Sequence, residues 1–231
     1  MKLTIGICLL LLGLTGSFTE EANTLLSQQV SEGMVDYATL EKNHSTLDQL
    51  YQQIGDMSLD GASDAEKKAF YINAYNLITI YQVIENYPLQ SPQDVEGFFD
   101  GKKHTVAGES LTLNELEKKK LLEPYQDPRF HFVLVCAAQS CPPLADFAYQ
   151  AEELEEQLNQ KTRQALNSPQ FIRINEKQKK VEISMIFEWY QDDFLKKAKS
   201  PLAFINQYRD EKIPESYQVE YYEYDWALNK Q

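Results

Sequence analysis

The residues of this chain best suited to chemistry are Cys136 and Cys141, with four residues between them, and His131 just ahead of the pair. A cysteine nucleophile needs a base within hydrogen-bond reach and a third group to hold that base, as in papain-type enzymes and transglutaminases. Cys141 as the attacking sulfur and His131 as the base describe a thiol-dependent hydrolase or acyl transferase, with Asn76, Glu117, Asp193 or Asp225 available as the third group. Pro142 follows Cys141; if it opens a helical turn, Cys141 becomes the N-cap, where backbone N–H groups and the helix dipole favour a thiolate. His44 sits in a polar helical segment and His104 beside two lysines, so His131 is the histidine in a core-like setting. The same cysteines carry a second reading. In an oxidising compartment two nearby thiols pair, which makes His131 structural and the chain a non-catalytic, disulfide-stabilised binding or scaffolding module. Sequence alone leaves both readings open. A metal site is not expected, because the cysteine spacing is looser than in zinc knuckles and one histidine is close by. No zinc-protease helix, phosphate loop or serine elbow is present, and no cofactor is expected.

The aromatic content, 14 Tyr, 11 Phe and 2 Trp, is the other chemical resource. Tyr149, Trp189, Tyr190, Tyr224 and Trp226 are candidates to line a groove for a peptide, thiol or small-molecule ligand, set against a plain packing role. Asn73 and Asn76, three apart on a helix, share one side of it and must find partners if buried; they either clamp loop backbone or orient a ligand or catalytic group.

These groups need elements to position them. Ser63 and Glu66 form a capping box that starts a helix over about 64–86, and the run from Phe70 to Tyr81 is apolar nearly all the way round, as in a central, buried helix. Leu47, Leu50, Tyr51 and Ile54 mark one face of an earlier helix. Residues 104–111 read as a hairpin turning at Ala107-Gly108, and Thr112 to Glu115 as a second capping box. Phe130 to Ala138 is β-rich and apolar, predicting a central strand on which His131, Val133 and Val135 face one way and Phe132, Leu134 and Cys136 the other. A helix over about 151–167, a hairpin around Glu176 to Lys180, caps at Ser184 and Ser200, and a terminal strand within 217–226 complete the pattern. Helices outnumber strands and flank them, so the expected class is α+β: one mainly helical domain on a small sheet, in a papain- or transglutaminase-like version if the cysteine chemistry holds.

Met1-Lys2 and the apolar stretch from Leu3 to Leu14 read as a secretory signal over residues 1 to about 19, too short for the ~20 apolar residues of a membrane span. The remaining 20–231 then form a single exported domain, periplasmic or secreted, without stable membrane insertion. The formal charge of −13 disfavours nucleic acid, whose phosphates require a basic patch.

Several segments together resemble the family catalogued as domain of unknown function 547. They are Ala69 to Asn76, Leu111 to Glu117, Asp127-Pro128-Arg129-Phe130-His131-Phe132, Val135 to Leu144, Ile186 to Phe194 and Tyr224 to Asn229, in the family's order over about residues 35–229. Arg129, Cys136, Asp193 and Asp225, which lie in these segments, are further candidate binding residues. Where many members carry Glu-His, this chain has Glu117-Lys118. The family implies no established substrate.

Overall fold

A computed structural model describes residues 8–231, with side chains from Phe18 onward. Most of the expected leader lies outside the side chains described, and among the described residues no helix is long and apolar enough to cross a membrane. The first helix, α1 (Cys8–Gln29), leads into a two-stranded ribbon, β1 (Val30–Ser31) and β2 (Met34–Val35), followed by α2 (Tyr37–Lys42) and α3 (Ser45–Asp56). Leu47, Leu50 and Ile54 of α3 are buried, as their spacing predicts.

The centre of the molecule is α4 (Asp64–Glu85). Its capping box forms as read from sequence: Glu66 N–H donates to Ser63 Oγ, and Ser63 N–H donates to Glu66 Oε2. Every residue from Ala69 to Ile80 is buried. A helix apolar on all sides can only be accommodated with protein around it, and α1, α2, α3 and the segments below supply that wrapping.

β3 (His104–Val106) and β4 (Glu109–Leu111) form the expected hairpin, turning through Ala107 and Gly108, both at positive φ. Thr112 and Glu115 cap α5 (Leu113–Glu115), which continues as a π-helical stretch, Leu116–Leu122, and then α6 (Glu123–Tyr125). The remaining elements are α7 (Leu154–Asn167), β5 (Ile172–Asn175), β6 (Lys180–Ile183), α8 (Ile186–Trp189), α9 (Gln191–Leu195), α10 (Pro201–Tyr208) and β7 (Gln218–Tyr221). β6 is the middle strand of a three-stranded sheet, antiparallel to β5 and parallel to β7. The architecture is α+β in one domain.

One expectation is corrected. The run beginning at Phe130 is not a strand: residues Pro128–Phe132 form a 3₁₀ helix opened by Pro128, with the Asp127 carboxylate accepting from Arg129 N–H. Although Ala138 later bridges Leu228, among the described residues no strand lies beside residues 133–135. Asn76 of α4 replaces one, its amide donating to Val133 O and its Oδ1 accepting Val135 N–H, both at 2.9 Å. The alternation of faces expected for 131–136 is therefore lost, and His131, Phe132, Val133, Leu134 and Val135 are all buried. Pro142 opens no helix either, so Cys141 is not a helix N-cap.

Candidate functional site

A cleft with a cavity volume of about 480 Å³ gathers side chains from seven parts of the chain. Its base comes from α4, which contributes Tyr75, and from the π-helical stretch, which contributes Glu117; the extra residue per turn in such a stretch commonly aims a side chain at a functional site. The 3₁₀ helix brings His131, and the turn after it brings Cys136 and Cys141. Trp189 and Tyr190 enter from the end of α8, and Tyr224 and Trp226 from the segment after β7. The opposite lip is the loop 92–100, including Glu96, Phe99 and Asp100.

That lip has its own supports. Gly97 sits at φ +70, and a Cβ there would come within 2.9 Å of Gly101 Cα, so the turn requires glycine on both counts. Gln82 Nε2 of α4 donates to Phe98 O at 2.7 Å, while Gln82 Oε1 accepts from His104 Nε2 at 3.1 Å; Tyr51 OH donates to His104 Nδ1 at 2.9 Å. This satisfies both ring nitrogens of a neutral imidazole. Burial, with a smaller effect of Lys102, lowers the His104 pKa to about 4. His104 is thus a structural residue behind the lip.

His131 is 4 % exposed and stacks on Tyr190 at 4.0 Å between ring centres. Its Nε2 lies 3.1 Å from Asp193 Oδ2, and its Nδ1 lies 3.9 Å from Glu117 Oε1. The hydrogen bond from His131, aided by Lys196, holds the Asp193 carboxyl down at about 2 against the opposing effect of burial. Glu117 moves the other way: burial raises its pKa, with the nearby His131 and a hydrogen bond from Tyr190 OH opposing. Burial and the adjacent Glu117 charge raise Tyr190, and burial raises Tyr75 and Tyr224. Two carboxyl groups in one network are therefore displaced in opposite directions.

Cys136 and Cys141 form a disulfide. Cys136 N–H donates to Cys141 Sγ at 3.0 Å, and the Tyr224 hydroxyl lies 3.3 Å from Cys141 Sγ and 3.2 Å from Cys136 Sγ. The sulfur proposed from sequence as a nucleophile shares the cleft with His131. It is, however, covalently occupied, and both imidazole nitrogens face carboxylates.

At the rim, Trp189, Tyr224 and Trp226 form one aromatic wall: Trp189 and Trp226 stack at 6.0 Å, and Tyr224 lies 4.9 and 4.8 Å from them. Trp189 is 47 % exposed, which leaves one indole available to an occupant. Glu96, Asp100 and Glu117 line the cleft, and no lysine or arginine does so among the described residues.

Other candidates fall elsewhere. Asn76 holds the 133–135 backbone, and Asn73 performs the same service for Tyr149, donating to its O at 2.9 Å and accepting its N–H at 2.8 Å. Tyr149 lines a separate cavity near Phe18 and Phe70. Arg129 pairs with Asp127 and Glu155 and binds Asn159, away from the cleft. Asp225 shapes its own turn: its carboxylate accepts from Ala227 N–H, its N–H donates to Ser140 Oγ, and its O accepts Ser140 N–H. The residues of the 92–100 lip were not singled out from sequence; Gly97 was the one signal in that loop.

The family model described as "Protein of unknown function, DUF547" matches residues 59–165. No curated protein and no solved structure matches the chain. The matched segment contains Tyr75, Glu117, His131 and both cleft cysteines, whereas the aromatic wall and Asp193 come from outside it.

Proposed function

Starting from a chain that belongs, through residues 59–165, to the DUF547 family of proteins of unknown function, we propose that it is an exported binding domain whose cleft takes a small organic cation. The observation that carries this reading is the pairing of an aromatic wall with Glu96, Asp100 and Glu117 in a cleft lined by no lysine or arginine among the described residues. A cation over an aromatic face gains ~0.5–2 kcal/mol per contact depending on desolvation. The buried Glu117 and the exposed Glu96 and Asp100 add charge complementarity that a neutral sugar would not use. The apolar leader read from residues 1 to about 19 and the paired cysteines support export, since disulfides persist in oxidising compartments.

Isothermal calorimetry with benzyltrimethylammonium, a neutral methyl glycoside and benzoate tests the reading. The cation alone binds, and Trp189→Ala weakens it about tenfold, equivalent to ~1.4 kcal/mol. Because burial raises the Glu117 pKa, cation affinity increases with pH as that carboxyl ionises, and Glu117→Gln removes this dependence. Binding of the glycoside or benzoate without the cation overturns the proposal.

A second reading, Cys141 as a nucleophile with His131 as base and Asp193 holding the ring, has in its favour that Cys141 and His131 line one cleft. It requires the reduced protein. Selective alkylation of Cys141 after mild reduction, lost in His131→Gln, supports it; equal alkylation of both variants rejects it.

A further inference from the structure

We propose that the Cys136–Cys141 disulfide exchanges with thiols entering the cleft, Cys136 being the sulfur attacked and Cys141 the sulfur released. Three observations carry this. Both cysteines line the open cleft, Cys141 from the buried core at 8 % exposure and Cys136 as the more exposed of the two. An incoming thiolate therefore meets Cys136 first.

The second observation concerns the leaving group. A thiol that stabilises its anion departs faster. Cys141 Sγ receives the Cys136 amide N–H as well as the Tyr224 hydroxyl, whereas Cys136 Sγ has the hydroxyl alone. Charge developing on Cys141 is met by two donors already in place, as hydrogen bonds to a thiolate require.

Third, the backbone holding the two sulfurs is fixed without the bond between them. Asn76 pins Val133 and Val135, Cys141 N–H bonds to Ala138 O, and Ala137, Gln139 and Ser140 bond to Asn229, Ala227 and Asp225. Reduction leaves the sulfurs adjacent, so closing and opening the bond does not require refolding.

The steps balance. A substrate thiolate attacks Cys136 Sγ; a mixed disulfide forms as the Cys136–Cys141 bond breaks, its electron pair leaving on Cys141. A second thiolate attacks the substrate sulfur of that mixed disulfide and releases Cys136. Two thiols become one disulfide, the protein disulfide becomes a dithiol, and the two protons lost by the substrate thiols end on the cysteines. The carboxylates of the cleft favour aminothiols over carboxylate thiols. That preference rests on the cation reading above, whereas the exchange itself does not.

The experiment incubates the folded, oxidised, full chain with cysteamine or with 3-mercaptopropionate at matched thiolate concentration, quenches with acid and maps adducts by peptide mass. The expected result is an adduct on Cys136, formed about tenfold faster with cysteamine, and about tenfold slower release of Cys141 in Tyr224→Phe, in line with leaving-group dependence. Cys141→Ser, whose Cys136 is a free thiol, is treated with the disulfide cystamine instead: Cys136 attacks it, cysteamine leaves, and the adduct is retained for want of Cys141 to displace it; if that variant does not fold, the wild-type adduct map decides. An adduct on Cys141, or a disulfide that reacts only in denaturant, overturns the proposal. Equal rates with the two thiols remove the charge preference and the cation reading with it, leaving exchange standing.

Discussion

Replacing Asn76 by alanine tests how the chain holds the segment that leads to the cleft cysteines. The Asn76 side chain is 3 % exposed and makes two hydrogen bonds of 2.9 Å, one to Val133 O and one from Val135 N–H. Neither backbone group has a strand partner, so truncation leaves a donor and an acceptor buried and unpaired. At ~1–3 kcal/mol for each unsatisfied buried group, Asn76→Ala is expected to cost about 2–6 kcal/mol. Against a typical domain stability of ~5–15 kcal/mol that is a large fraction. Asn76→Asp keeps the acceptor, loses the donor and brings a carboxylate into the centre of α4, so it is at least as damaging near neutral pH. Urea unfolding followed by circular dichroism gives the magnitude, and hydrogen exchange at the Val135 amide gives the location. Asn175→Ala, which removes an exposed contact to Gln178, is the control and shifts stability by less than about 0.5 kcal/mol. An Asn76→Ala loss below about 1 kcal/mol, with Val135 still protected, refutes the clamp.

Two further outcomes follow from buried side chains. His104, lowered from its ordinary 6.5 to about 4, leaves the folded state with fewer bound protons than the unfolded chain between those values. Its contribution is fully present above pH 6.5 and is lost as the pH falls toward 4, with a ceiling of about 3 kcal/mol; pH-resolved urea midpoints should show the fall shrink in His104→Gln. Phe18 is 2 % exposed and lies 5.6 Å from the Phe70 ring, so Phe18→Ala is expected to cost about 3–5 kcal/mol. Urea unfolding of that variant checks this, and undiminished stability contradicts it.

The elements legible in the sequence are those specified by neighbouring residues. The Ser63/Glu66 and Thr112/Glu115 boxes announce their helices because donor and acceptor lie three residues apart. The Ala107-Gly108 turn announces β3 and β4 for the same reason. The 130–138 segment was not legible, because what replaces its strand partner is a single side chain, Asn76, more than fifty residues upstream. The cleft follows the same division. His131, Cys136, Cys141, Trp189 and Tyr190 could be named from residue type, and they do converge. Two pairings depended on tertiary placement: Asp193 with His131, which sequence offered as one of four choices, and the acidic lip with the aromatic wall. Arg129, Tyr149 and Asp225 carry suitable chemistry but are anchored elsewhere by Glu155, Asn73 and Ser140.

Both tryptophans of the chain, Trp189 and Trp226, stand at the cleft rim, so intrinsic indole fluorescence reports on this site without labelling. Titration with a trimethylammonium ligand and with its uncharged tert-butyl isostere tests the central claim most directly. A saturable change with the cation, absent with the isostere and weakened in Glu117→Gln, is the predicted result. Identical curves for the two ligands, or no saturable change with either, contradict it.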